Sequence, residues 1–250
     1  MTLESVTAIV VASAVTSDPV LAGHSSNGCK SLIMINGRPA VGYVMENLRA
    51  CERISNVVLI SDRATHESAP GADFFVEASS GEAESLLMGV RLAADSDRCL
   101  VTTGDIPLAS PDAITDLLSC APDCDIVYPV VEETDVRDVY PDKRAFYVGT
   151  KEGRFTGSGS MLFKPRVALS RGELITNILN ARRNRIALLG LLGPGMAVKI
   201  MLGKPTIADF ESQLSKVLQA TCRVFISHYP ELVCSIDSPE DIELMESELA

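Results

Sequence analysis

Positive charge is scarce in this chain: 22 Lys and Arg face 33 Asp and Glu, a formal net charge of −11. So acidic a surface repels a phosphate backbone over most of its area, which argues against nucleic acid as a partner. A small polyanion is still admissible, because a few local cations and a divalent metal dominate at short range. A long uninterrupted apolar run is also missing. The most apolar stretch, 186–203, contains Gly190, Gly193, Pro194, Gly195 and Lys199. It reads as a buried helical hairpin or loop, whereas a membrane span needs about 20 apolar residues in a row, so no membrane partner is expected. The opening Met1-Thr2-Leu3-Glu4 lacks the basic start of a secretory signal, and a cytoplasmic location follows as the expectation. Paired metal ligands are missing too. The seven cysteines are irregularly spaced, and Cys120 and Cys124 form a C-x3-C with no His or second Cys pair nearby. Neither a zinc site nor a disulfide framework is indicated, and reduced thiols are expected.

What is present is apolar material in alternating short blocks. Hydrophobic residues make up 46% of the 250, enough for one core without staples, and one domain over 1–250 is the expectation. Buried strands are predicted at 6–12, 56–61, 74–76, 99–103 and 125–131, with a short one at 32–35 ended by Asn36-Gly37. Helices are predicted at 39–51, 83–94 and 111–119, the last capped by Ser110. Residues 132–140 are charged and read as a loop. Short strands follow at 146–148 and 161–163, then helices at 174–192 and 207–218, a strand at 224–228, and a helix at 239–249 capped by Asp237 or Ser238. The alternation predicts an α/β fold: a mixed, mostly parallel Rossmann-like sheet with helices on both faces, in three layers.

Several residues carry candidate chemistry. In Thr102-Thr103-Gly104-Asp105-Ile106-Pro107 a carboxylate stands where a buried strand ends. Ligands of open α/β sheets bind at that rim, and a carboxylate there suits Mg2+, although Asp105 is also an ordinary turn residue before Pro107. Asp237 follows a short apolar strand and opens Ser238-Pro239-Glu240-Asp241, which is a plain helix start as readily as a metal ligand. Lys30 lies in a polar loop; it pairs with a triphosphate only if it shares the rim with Asp105. Gly157-Ser158-Gly159 is either a close backbone approach to a ligand or a hairpin turn. Arg182-Arg183-Asn184-Arg185 is either a solvated helix end or a phosphate-binding cluster.

As an ordered set these pieces resemble the MobA-like nucleotidyltransferase superfamily over nearly the whole chain. Six residues separate Lys30 from Gly37-Arg38-Pro39, matching the family's lysine followed by a G-[KR]-P. Ser80-Gly81 stands where the family has its base-contacting loop, Gly104-Asp105-Ile106-Pro107 looks like its G-D-x-P, and Asp237-Ser238-Pro239-Glu240-Asp241 looks like its closing D-x-P-x-D. The resemblance implies a nucleotide-diphospho-sugar transferase type of fold. It implies a nucleotide-binding half, 1–131, holding Ala12, Ser13, Ala14, Lys30, Ser80, Gly81 and Gly104. It also implies an acceptor-binding half, 132–250, holding Gly157, Ser158, Gly159, Arg182 and Arg183. Lys30, Asp105 and Asp237 become the catalytic residues, with Mg2+ on Asp105 and Asp237. The partners are an NTP and a small phosphorylated acceptor, and a homodimer is one expected assembly. The chain departs from the family after its first strand, where Ala12-Ser13-Ala14-Val15-Thr16-Ser17-Asp18 replaces a Gly-rich loop with an Arg, and at Thr156-Gly157-Ser158-Gly159, where close relatives read T-G-G-N. Two functions are therefore expected: transfer of an NMP with release of pyrophosphate, or nucleotide and sugar-phosphate binding by a catalytically weak member or partner subunit. A glycosyltransferase of related fold fits less well, since no D-x-D follows the fourth strand.

Overall fold

The structure is a computed structural model that describes residues 4–13, 16, 18–25, 27–69, 71–78, 81–173, 176, 185–203 and 205–250, the side chains of 185–192 excepted. The strands are β1 (Val6–Val11), β2 (Met34–Ile35), β3 (Arg38–Pro39), β4 (Ile54–Ser61), β5 (Phe74–Glu77), β6 (Arg98–Thr103), β7 (Ile126–Glu132), β8 (Val148–Gly149), β9 (Arg154–Gly157), β10 (Ser160–Phe163) and β11 (Cys222–Ser227). The helices are α1 (Pro19–Ala22), α2 (Ala40–Ala50), α3 (Arg63–Ser68), α4 (Glu82–Leu92), α5 (Pro111–Cys120), α6 (Glu133–Val139), α7 (Pro165–Ser170), α8 (Arg185–Met201), α9 (Ile207–Leu218) and α10 (Pro239–Glu248).

The main sheet runs β5-β4-β1-β6-β10-β7-β9-β8, with β11 on the other side of β7. Within it only β9 and β10 run against the rest. Alternation along β1 explains the layers. Ala8 and Val10 point to one face, where α2 (Val41, Val44, Met45, Leu48) and α5 (Ala113, Ile114, Leu117) cover them. Ile9 points to the other, against Val90 of α4 and Ala168 of α7. Strands sandwiched in this way must be apolar on both sides, which is why β1 and β4 read as continuous runs. The result is the three-layer, mostly parallel, Rossmann-like arrangement that the alternation predicts.

Four local expectations are corrected. Residues 133–139, read as a charged loop, form α6, with Val136 buried against Val131 and Val233. The segment Leu32–Ile35, read as a strand, is a 3-10 turn over Lys30–Leu32 followed by the two-residue β2. The residues before Asp237 form a 3-10 turn, Pro230–Val233, and not a strand. Within 186–203, expected to be buried, Val198, Met201 and Leu202 are exposed at 54%, 86% and 67%. The chain there is a helix kinked at Gly193 (φ 77) just before Pro194. Among the described residues no helix is long and apolar enough to cross a membrane.

The Gly/Ser segment is neither a hairpin nor a free loop. β9 and β10 do not pair with each other; both pair with β7, Gly157 opposite Val130 and Leu162 opposite Val127. Ser158 and Gly159 are the surplus residues, a bulge opposite Pro129. Proline has no N–H to give. Ser158 N still donates to Pro129 O at 3.0 Å, and the Tyr128 hydroxyl approaches Ser158 O at 3.5 Å where the missing donor would act.

Candidate functional site

The site gathers at the rim where β1, β4, β6 and β7 end. Gly104 N donates to Val11 O at 3.1 Å, and Ala12 N to Ile60 O at 2.8 Å, so three strand ends are laced together. Gly104 is needed for this closeness: a Cβ there would lie 2.7 Å from Ser31 Oγ and 2.9 Å from Ala12 Cβ. Asp105 follows directly and is 7% exposed. Its carbonyl accepts from Ile236 N at 3.0 Å. That bond ties the far C-terminal segment to the end of β6 and brings Asp237 alongside.

Lys30 meets both carboxylates. Its Nζ lies 3.3 Å from Asp105 Oδ2 and 2.5 Å from Asp237 Oδ1. Burial by itself would lower the Lys30 pKa, but the charge of Asp105 and the hydrogen bond and charge of Asp237 together outweigh it, and the net shift is upward. Burial likewise opposes ionisation of Asp237, yet Lys30, the Ser235 hydroxyl and Lys143 together hold its pKa below the ordinary value. The three residues therefore stand as one ammonium between two carboxylates.

Sequence reasoning missed Lys143. Its side chain is 1% exposed, and its Nζ contacts Asp241 Oδ1 at 2.9 Å, Ser235 O at 2.6 Å and Asp237 Oδ2 at 3.8 Å. Asp241 Oδ2 in turn accepts from the backbone N–H groups of Asp237 (2.9 Å) and Ser238 (2.8 Å), while Ser238 caps α10 in a capping box. Nothing in the local pattern Pro141-Asp142-Lys143-Arg144 distinguishes a buried lysine from a solvated one.

The other sequence-predicted residues are placed as follows. Ala12 is fully buried and Cys29 Sγ donates to its carbonyl at 3.3 Å; Ser13 is partly exposed beside it. Gly81, at φ +100, is the N-cap of α4. It lies at the same rim, because β5, which precedes it, runs parallel to β4 and so to β1. Gly157 packs under Tyr128, where a Cβ would come 2.0 Å from the hydroxyl. Ser158 is buried, its hydroxyl donating to Leu232 O at 2.9 Å and accepting from Ser160 N at 3.0 Å, so this side chain is committed to the interior. Gly159 O accepts from Thr103 N, which sets the bulge directly beside the Asp105 turn. Ala14, Ser80, Arg182 and Arg183 lie outside the described residues.

The donor set fits a hard divalent cation. Asp105 Oδ1 and Thr103 Oγ1 are buried without a hydrogen-bond partner. Gly159 keeps the space at Thr103 open, since a Cβ there would come 2.9 Å from that hydroxyl. Among the described residues no three His, Cys, Asp or Glu side chains form a closed cage. Two carboxylates completed by substrate oxygens is the usual magnesium arrangement.

This arrangement of layers is shared with several solved structures. A structure described as a hypothetical transferase from Thermus thermophilus matches with a TM-score of 0.85 at 27% identity, over 95% of this chain and 99% of that one. A CMP:2-keto-3-deoxy-manno-octonic acid synthetase complexed with CTP matches at 0.61 and 12%, over 98% of each chain. A 4-diphosphocytidyl-2C-methyl-D-erythritol synthase from Anaerococcus prevotii DSM 20548 matches at 0.59 and 14%, again over 98% of each. The last two share the fold. No curated protein matches. The chain belongs to the MobA-like NTP transferase family, whose domain model matches residues 20–221.

Proposed function

We propose that the chain transfers an NMP from an NTP to a small phosphorylated acceptor and releases pyrophosphate. The observation that carries this is the meeting of Lys30, Asp105 and Asp237 at one rim of the sheet, from segments more than 200 residues apart in the case of Lys30 and Asp237, whose separation is 207. A phosphate oxygen of the acceptor, already ionised, attacks the α-phosphorus in line, and the bond to the pyrophosphate oxygen breaks. No general base is needed, so catalysis is positioning and charge neutralisation. Lys30 turns from the carboxylates onto the α-phosphate and offsets the charge that grows there. Asp105 and Asp237 would hold Mg2+, which when bound neutralises phosphate charge as a Lewis acid. Residues 1–131 are assigned as the nucleotide half, with Ala12, Ser13, Gly81 and Gly104 and, outside the described residues, Ala14 and Ser80 as its binding residues. Residues 132–250 are assigned as the acceptor half, with Gly157 and Gly159 and, outside the described residues, Arg182 and Arg183 as its binding residues.

A second reading, nucleotide binding without turnover, is favoured by one feature: 12–18 lacks the glycines that open backbone N–H groups to phosphates. One experiment separates the two. Pyrophosphate release is measured with each of four NTPs and Mg2+ over a panel of phosphorylated acceptors, alongside calorimetric nucleotide binding. Release by the wild type and its loss by a factor of at least about 100 in Asp105→Asn supports transfer. Binding with no release supports the second reading. Neither binding nor release sinks both.

A further inference from the structure

Lys143 is the most deeply buried ammonium at this rim, and it faces the side of Asp237 that Lys30 does not. Asp237 Oδ1 is 2.5 Å from Lys30 Nζ, whereas Asp237 Oδ2 is 3.8 Å from Lys143 Nζ. The two lysines differ in freedom. Among the described residues the Lys30 ammonium is held by the two carboxylates, and its side chain is 17% exposed. Lys143 is 1% exposed and is hydrogen-bonded to both a backbone carbonyl and a buried carboxylate, Ser235 O and Asp241 Oδ1. An ammonium carries three donors and no acceptor, and two of the three are committed to these bonds. Its partner Asp241 also grips the backbone of Asp237 and Ser238. One buried pair thus governs Asp237 twice, through charge on the carboxylate and through hydrogen bonds on the main chain.

We propose that Lys143 is a positioning residue for Asp237, the standing countercharge that keeps this carboxylate in place when Lys30 leaves it for a polyphosphate. The proposal rests on the reading of the rim as a nucleotide site. The competing account is that Lys143 merely neutralises Asp241. The two differ in what happens when both charges of that pair are removed together, an exchange that buried ion pairs often tolerate.

The test uses Lys143→Met/Asp241→Asn, in which the Asn oxygen still accepts from the backbone, with Asp241→Asn alone as control. Mg2+-dependent NTP affinity is measured by calorimetry, with the melting temperature as the check on folding. The expected result is a folded double variant whose Mg2+-dependent affinity falls at least tenfold, and a control that loses more melting temperature than the double variant because it leaves the Lys143 charge without Asp241. A folded double variant with wild-type affinity overturns the proposal. A second measurement needs no variant: in wild-type protein labelled at lysine Nζ, adding an NTP with Mg2+ should move the Lys30 ammonium resonance and leave that of Lys143 in place. Movement of Lys143 with Lys30 also overturns it. If wild type binds no NTP, the nucleotide reading is what fails. The role of Lys143 is then decided by the ligand-free crystal structure of Lys30→Met, in which Lys30 no longer holds Asp237: Asp237 kept beside Lys143 supports the role, and a displaced Asp237 refutes it.

Discussion

Gly104 has a close neighbour on each side: the hydroxyl of Ser31 and the methyl of Ala12 both occupy the place where a β-carbon would go. Gly104→Ala should therefore lower stability by about 1–3 kcal/mol, the usual cost of overpacking a core, and reduce nucleotide affinity by shifting the Asp105 turn. Gly149→Ala, with nothing within 4 Å of the added carbon, should be near neutral in the same urea titration. An equal loss in both would mean that the crowding at 104 is not what matters. Lys30, Asp105 and Asp237 were legible because each stands in a pattern with its own local logic: a strand end, a helix start, a lysine ahead of G-R-P. Lys143 was not. Its burial is created by Ser235 and Asp241, roughly a hundred positions away, and no window around 143 contains them. The interior role of Ser158 was hidden for the same reason, since its acceptor is Leu232 O.

Among the elements, those with a full amphipathic period were read closely, as α9 shows. Its start is fixed by a capping box in which the Thr206 hydroxyl accepts from Asp209 N and the Asp209 carboxylate accepts from Thr206 N. Thr206→Ala should cost about 1 kcal/mol by chemical denaturation while leaving pyrophosphate release unchanged, because the capping box bonds to none of Lys30, Asp105 and Asp237. A change in release would tie α9 to the site. In contrast α6 escaped notice because its seven residues hold only two apolar side chains, Val136 and Val139, too few for a 3.6-residue stripe. What holds it includes the Glu133–Arg137 pair, one turn apart, and Arg154 on the same carboxylate. The bulge at Ser158–Gly159 was mistaken for a possible hairpin because Gly-rich spacing looks alike in both. The distinction lies in the partner strand, where Pro129 cannot donate.

For the molecule as a whole, the site electrostatics set a pH window. The Asp237 pKa is lowered, so its contribution is present above the unfolded value of 3.8 and is lost as pH falls through the lower folded value. The Lys30 pKa is raised, so its contribution is present below 10.5 and is lost as pH climbs through the higher folded value. The stability difference between wild type and Lys30→Met/Asp237→Asn should thus be flat from about pH 5 to 9 and change only outside that range. A slope near neutrality would point to a different titrating pair. Burial pushes the Cys99 and Cys234 thiols up to about 12, and Cys120 alone of the seven is exposed, with its own pKa raised by a hydrogen bond to Asp116. A native thiol titration should show one slowly reacting group, removed by Cys120→Ser, and all seven only after unfolding. The hydrogen bond from Ile236 N to Asp105 O has a temporal consequence. On the ribosome, the sheet through β11 can collapse while residues 235–241 are still inside the exit tunnel, with Lys143 lacking every acceptor it will have. The Lys30–Asp105–Asp237 cluster is thus assembled only once the segment carrying Asp237 has left the tunnel, well after the strands that frame it.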